Sequence, residues 1–503
     1  MLNFAILICA LRINYSSATI TYKYQFFCNA SIGIKTFCGG AANFTDRKVD
    51  KMRTGSGSQT RDMTVGSPVK LIVVFALPLM VGNVFQQLYT IVDAMVVGNA
   101  LGVDALAAVG AADWPGWVVL GIVTGFTQGF SIPVSQYFGK EDYKSMRKAV
   151  CMMIESSIVL GVLLTVIGLL VAAPALRALN TPAEIFDDAL IYLVITYIGI
   201  LAVTAYNVLA SILRALGNGR TPLIAMIIAS VTNIVLDVVF VFFFGWGVGG
   251  AAFATVLAQM LSAIFCYFNI RKIEILHLTK EDFALDKEML GRLFALGTPT
   301  AFQNAVIGFG GVVVQNVINS FGMVFIAGFT ATNKLYGLLE LAATSFGFSL
   351  VTYTGQNLGA GKYERIRSGV KWGLVLGIGV AAVISVCMLL FGEGIVGMFI
   401  SDSPELKTQA VAVAFQYLKI MSYWLFILYM LYVYRSALYG LGDTVVPMIS
   451  GIVELIMRVG IILILPRIMG QDGVYYAEVA AWAGAALILA IAYYVRMHRL
   501  TAG

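Results

Sequence analysis

Charge is scarce in this chain. Only 12% of its 503 residues are Asp, Glu, Lys or Arg, about half the share of an ordinary soluble domain, and that shortage excludes a water-facing globular protein. Histidine is nearly absent too. The two that exist, His277 and His498, lie outside every long apolar run, so no imidazole base or ligand is available inside one. Six cysteines are present, Cys9, Cys28 and Cys38 near the start and Cys151, Cys266 and Cys387 far apart, and their spacing fits neither a disulfide framework nor a metal site. What remains is 59% hydrophobic residues and 51 glycines.

Crossing about 30 Å of hydrocarbon takes an apolar helix of roughly 20 residues, because every backbone polar group must be satisfied within the segment. From Lys70 onward the sequence offers twelve such segments, at 71–97, 105–135, 149–173, 188–213, 222–244, 250–270, 290–318, 326–356, 370–392, 408–434, 445–466 and 474–496. The expected fold is an all-α polytopic membrane protein. With the first segment starting in the cytoplasm, sixteen basic residues fall in cytoplasmic loops, among them Lys140, Arg147, Arg271, Lys362, Arg365 and Arg435, against only Arg177, Lys407 and Arg467 outside. This asymmetry predicts both termini in the cytoplasm of a cell-membrane protein. The net charge of +6 is then topological, and no nucleic-acid partner is expected.

Residues 1–66 stand apart. MLNFAILICALRI is too short to span and lacks a basic start, and polar, Ser/Gly-rich sequence follows it. The segment reads as a dispensable, disordered leader, with a translation start near Met52 or Met63 as an alternative. Its sequons at Asn14, Asn29 and Asn43 would face the cytoplasm, where they would not be glycosylated.

The rest of the chain repeats. QYFGKEDYKSMRKAV at 136–150 aligns with QNLGAGKYERIRSGV at 356–370, ALPLMVGN aligns with LGTPTAFQN through Pro78 with Pro299 and Asn83 with Asn304, and LGNGRTP at 216–222 aligns with LGDTVVP at 441–447. Three matches in one order predict two homologous six-helix bundles. Six is even, so the halves enter the membrane in the same sense and are related by a pseudo-two-fold axis along the membrane normal. The boundaries are an N-terminal lobe at 67–270, a cytoplasmic linker at 271–289, a C-terminal lobe at 290–497 and a tail at 498–503. The Gln/Gly/Tyr/Arg boxes are expected to act as hinges and lipid-headgroup contacts.

Within the apolar segments, Asn83, Gln86, Thr90 and Asp93 form one helical stripe, and Ser230, Asn233 and Asp237 form another. At about 1.5 Å per residue, Asp93, Asp237 and Thr255 reach similar depths below the outer surface. Two carboxylates, an amide and a hydroxyl converging there suit Na⁺, or a proton shared by carboxylates that cannot both stay charged in low dielectric. A structural role, with each polar group satisfied by a neighbouring helix, is the alternative. The places matching Asp93 and Asp237 in the second half hold Val314 and Ile462, so folding symmetry does not require acids. Glu454 and Arg458, one helical turn apart, are expected to neutralise each other. For Lys334, Glu340, Lys419 and Glu478, lining a cavity and pairing across helices remain equally open.

PLMVGNVFQQLYTIVDAMVVG, QYFGKED, LRALGNGRTP, NIVLD and GVGGAAFATVLAQ, at these spacings, resemble the prokaryotic multidrug and toxic compound extrusion (MATE) transporters over residues 67–497. The resemblance implies two lobes forming a V about a central cavity, and export of small organic, cationic amphipathic compounds in exchange for Na⁺ or H⁺, with no cofactor and as a monomer in contact with membrane lipid. It places the cation site on Asp93, Asn233, Asp237 and Thr255, with Tyr192 beside them, and Na⁺ on the first three. A C-lobe cation site is not implied, since Gln303, Asn304, Tyr423, Trp424, Phe426 and Tyr429 stand where some members carry acids. Gln86, Phe426 and Tyr429 would line the substrate cavity. Two other functions compete: a flippase for lipid-linked precursors, which needs a strongly basic cavity, and a membrane-embedded enzyme, which needs a nucleophile or metal set within the bilayer.

Overall fold

The structure, a computed structural model, describes residues 60–400 and 404–502. The leader's cysteines and sequons lie outside the described residues. Described secondary structure is helical, as a chain that must satisfy its backbone inside hydrocarbon requires.

The N-terminal half contains α1 (Pro68–Leu101), α2 (Val103–Gly139), α3 (Tyr143–Ala178), α4 (Ala183–Ile198), α5 (Ile200–Ala215), α6 (Arg220–Asp237) and α7 (Gly247–Ile270). The C-terminal half contains α8 (Lys287–Asn319), α9 (Met323–Gly359), α10 (Tyr363–Gly397), α11 (Pro404–Gly440), α12 (Val445–Ile464) and α13 (Asp472–Ala502). Ten helices are long and apolar enough to cross a membrane, and α4 with α5, bent by 45° at Gly199, supplies an eleventh span. Helix α8 is the twelfth. It has the length at 33 residues, but Thr298, Thr300, Gln303 and Asn304 dilute its hydropathy. The fold is the expected one: twelve spans in two six-helix bundles.

Equivalent elements behave alike. The most apolar windows of α3 and α10, the third spans of their halves, are only 17% and 11% buried, so these helices turn most of their surface to lipid. The repeated boxes prove to be helix-capping turns. Gly217 and Gly442 adopt φ of +78° and +79°, a left-handed conformation that glycine takes at least cost. Asn218 and Asp443 follow and accept from the backbone N–H groups of Thr221 (3.0 Å) and Val446 (3.2 Å), opening α6 and α12.

The halves meet toward the end where α1 begins and α13 finishes. There α2 lies against α8 and α9 so closely that a Cβ on Gly139 would stand 1.9 Å from the Gln356 carbonyl oxygen, and one on Gly359 1.8 Å from that of Gln136. Nearer the middle, Asn304 donates to the Gly121 carbonyl at 3.1 Å and Asn83 to Ser345 at 3.1 Å. At the opposite end the equivalent first residues of α2 and α9, Val103 and Met323, are 80% and 81% exposed. The repeated Gln/Gly boxes are therefore a clasp between halves, and the reading of their glycines and glutamines as headgroup contacts is corrected: the other half uses these residues up.

A second correction concerns the leader. Residues 61–66, expected to be its disordered end, are held in place across the halves. Arg61 donates its N–H to the Leu216 carbonyl (2.9 Å) and Met63 its N–H to Gln356 Oε1 (2.8 Å), while Asn357 and Lys362 donate to the carbonyls of Met63 and Thr64. Met63 is wholly buried among Leu71, Phe75 and other apolar side chains. Burial of that thioether and four backbone hydrogen bonds offset the entropy that would otherwise leave a polar segment loose.

Between the halves, residues 271–286 fold onto the foot of α3. Arg147 pairs with Asp282 (3.5 Å) and Lys148 with Asp286 (3.0 Å). Asp286 also caps α8 by accepting from Met289 and Glu288, and the Met289 N–H holds its carboxyl below the usual carboxylate range.

Candidate functional site

Three elements build the site. Asp93 lies eight residues before the end of α1, Asp237 is the last residue of α6, and Thr255 lies eight residues into α7, which puts all three within about 9–12 Å of the same end of the bundle. Directly after Asp237 the helix widens into a π turn, Val238–Phe243, of the kind that often marks functional positions. It feeds an aromatic plug in which Phe240 stacks on Trp246 at 4.9 Å. On the other flank the α4–α5 bend lets Gly199 close against α7, where a Cβ would stand 2.2 Å from Val256, the residue after Thr255.

The side chains converge as the sequence predicts. Asn233 Nδ2 donates to Thr255 Oγ1 at 3.1 Å and approaches Asp237 Oδ1 at 3.4 Å. The Asp93 and Asp237 carboxyls act on each other. Tyr192, on α4, stands in the field of both. Asp237, Asn233 and Asp93 are 0%, 1% and 8% exposed, yet Asp237 Oδ2, Asn233 Oδ1 and Asp93 Oδ1 have no hydrogen-bond donor. Buried acceptors without donors are costly. Three bare oxygens, two of them on carboxyls that act on each other, suit a small cation, either a proton held between the carboxyls or Na⁺ bound by hard oxygens. The donor set thus fits either ion. Among the described residues no group of three or more His, Cys, Asp or Glu is placed to hold a metal.

In the second half, Val314 and Ile462, at the places matching the two acids, are buried in the apolar core. The substrate-cavity residues separate. Gln86 is exposed and lies beside Tyr89, and Phe426 is exposed against Trp424. Tyr429 is not a wall residue. It is 1% exposed, with its hydroxyl donating to the Leu339 carbonyl at 3.1 Å, because its ring packs in the core beside Gly377.

Two charge assignments also change. Arg435 does not sit in a loop: it is buried in α11 and pairs with Glu454. Arg458 pairs with Glu478 at 2.8 Å instead of with Glu454. A carboxylate on a facing helix meets each guanidinium more directly than one on the same helix. The sequence reading passed over Asp113 as well, an exposed acid on α2 that acts on Asp93 and lies in the field of Lys334 of α9. Its only sequence signal was an acid inside an apolar segment.

Two homologous six-helix bundles that close on each other at one end, with a bare pair of carboxyls buried in one of them, define a polytopic membrane transporter. The chain belongs to the multidrug and toxic compound extrusion family, for the MatE family pattern matches residues 78–239 and 299–464. This is a family of transporters, not enzymes. The chain is 30% identical over 362 residues to "Probable multidrug resistance protein YpnP" of Bacillus subtilis, covering 71% of this chain and 79% of that one. It is 24% identical over 443 residues to "Multidrug export protein MepA" of Staphylococcus aureus, covering 86% and 96%. Among solved structures it superposes, with a TM-score of 0.82 and 23% identity, on an outward-facing conformation of a multidrug resistance MATE transporter, covering 90% of this chain and all of that one. A MATE crystal structure in complex with MaL6 gives 0.83 at 22% identity, with the same coverage.

Proposed function

We propose that the protein is a secondary active antiporter of the cell membrane, with both termini cytoplasmic, that exports organic cationic amphipathic compounds in exchange for Na⁺ or H⁺. The observation that carries this reading is the set of donorless oxygens on Asp93, Asn233 and Asp237. A cation filling such a site removes the cost of those oxygens, so filling and emptying it changes how α1, α6 and α7 pack. With cytoplasmic termini, the clasp of Gly139 and Gly359 closes the inner side while Val103 and Met323 stand open outside. The cation site is then reached from the side on which the driving ion is abundant. The names of its relatives agree with drug export.

A flippase for lipid-linked anions is disfavoured by its basic residues. Arg435 and Arg458 are each neutralised, Lys334 lies in the field of Asp113, and Lys419 lies over the Phe415 ring at 4.5 Å. The direct test is release of a fluorescent organic cation from vesicles under separately imposed Na⁺ and pH gradients. One gradient should drive transport, and failure of both would refute antiport.

A further inference from the structure

The C-terminal half holds a second buried cluster of charges, and one of its members, Arg458, occupies the place that Asn233 takes in the first half. Asn233 and Arg458 each lie seventeen residues after the first leucine of their repeat box, Leu216 and Leu441. Where the first half offers Asn233 and Thr255 to a mobile cation, the second half has the guanidinium of Arg458 bonded to Glu478 of α13 at 2.8 Å. The cation there is part of the chain. Beside it, Arg435 of α11 pairs with Glu454 of α12.

One carboxyl is left over. Glu340, midway along α9, is the third acid of the cluster against two guanidiniums, and each guanidinium already has its own carboxylate. The direct side-chain partner of Glu340 is a neutral group, the Tyr432 hydroxyl, which donates to Oε1. The titratable groups acting on Glu340 are Tyr432 and Arg435 from α11, Glu454 from α12 and Glu478 from α13, and Glu340 in turn acts on Tyr336 and Tyr429. Of the two lysines that could supply a further positive charge, Lys419 lies over the Phe415 ring and Lys334 is exposed on α9, in the field of Asp113. An uncompensated carboxylate inside a membrane bundle is costly, and binding one proton removes that cost. Access is available. Glu340, Tyr336 and Tyr432 are half-buried, whereas Glu454, Arg435 and Arg458 are buried, so Glu340 sits at the mouth of the cluster.

We propose that Glu340 is a proton-binding site, taking a proton up from water and releasing it there, so that the C-terminal half has a protonation switch of its own. The site goes beyond the antiport reading and does not depend on which ion the Asp93–Asp237 pair takes. Arg435 links it to the buried pairs: when Glu340 is charged the cluster carries one negative charge in excess, and when it is protonated the cluster is neutral. The two states therefore favour different spacings of α9, α11 and α13.

The test uses the full chain in phosphatidylcholine vesicles and follows the protonated-carboxyl C=O band in infrared difference spectra as pH is stepped. The Asp93→Asn/Asp237→Asn double variant removes the first site and should keep, beside the bands of the exposed carboxyls, one titrating band from a less exposed carboxyl. Adding Glu340→Gln should abolish that band, and adding Tyr432→Phe should keep it but move its midpoint. A band absent from the double variant, or unchanged by Glu340→Gln, overturns the proposal. Thermal melting supplies the fold control. Gln is a neutral isostere of a protonated Glu, so Glu340→Gln should melt with wild type while Glu478→Gln melts earlier. If Glu340→Gln fails to fold, or melts as early as Glu478→Gln, Glu340 is an ionised structural partner and the proposal falls.

Discussion

Gln136 and Gln356 hold equivalent places in the two halves, and each donates its side-chain amide to the last carbonyl of a helix in the other half. Gln136 Nε2 reaches the Gly440 carbonyl at 3.1 Å, and Gln356 Nε2 reaches that of Ala215 at 2.9 Å. The clasp is thus reciprocal, as a pseudo-two-fold axis requires. Each acceptor atom of the pair is taken by a different group, Arg292 for Gln136 (2.7 Å) and the Met63 N–H for Gln356 (2.8 Å).

The first prediction follows from the clasp. A Cβ at residue 139 or 359 would overlap a carbonyl oxygen of the opposite half, and backbone cannot give way as a flexible side chain can. Gly139→Ala and Gly359→Ala should each cost about 1–3 kcal/mol of closed-state stability and raise labelling of a cysteine placed in the cleft from the cytoplasmic side. Equal labelling in wild type and both variants would show that the contact does not hold the halves together.

A second prediction concerns the carboxyl pair. Asp237→Asn keeps the shape of the side chain but removes the charge a cation needs, so coupled efflux should be lost while insertion is kept. Asp93→Asn should behave likewise. The double variant should be little worse than either single one, since groups that hold one ion act as a unit. Normal transport by Asp237→Asn under both gradients would return these residues to a structural role.

Third, Glu454→Gln should destabilise by about 3–5 kcal/mol, because it leaves Arg435 buried without its countercharge. Replacing both partners, with Arg435→Met alongside, should recover most of that loss. Thermal melting of the single and double variants decides the matter, and additive losses would contradict the pairing.

The fourth prediction tests the strap at residues 61–66. Met63→Ala empties a filled apolar site and should lower stability by about 2–5 kcal/mol, read from the melting of detergent-solubilised protein. No change on melting would mean that the strap only rests on the clasp.

Topology supplies the fifth. A cysteine at His277, in the basic connection between the halves, should react with a membrane-impermeant thiol reagent only after the cytoplasmic side is opened. The free cysteines at Cys151 and Cys266 are buried and should contribute little background.

The sequence by itself determined the spans, the duplication and the residues that meet at the candidate site. Hydropathy, repeat spacing and helical periodicity are local quantities, and Asp93, Asn233, Asp237 and Thr255 could be matched in depth by counting residues along straight helices. Local quantities also explain the errors. Tyr429 belongs to an apolar stripe, but which face of α11 meets the cleft depends on α9 and α10, and they bury it. Glu454 and Arg458 are neighbours on one helix, and the fold offers each a better partner on another. Residues 61–66 look like the end of a leader because nothing in their composition tells of Gln356 and Asn357, almost three hundred residues away. Only tertiary structure decided which charges pair, which glycines touch backbone and which carboxyl is left over. Those outcomes depend on how helices from the two halves face one another, and periodicity within one helix carries no record of its partner.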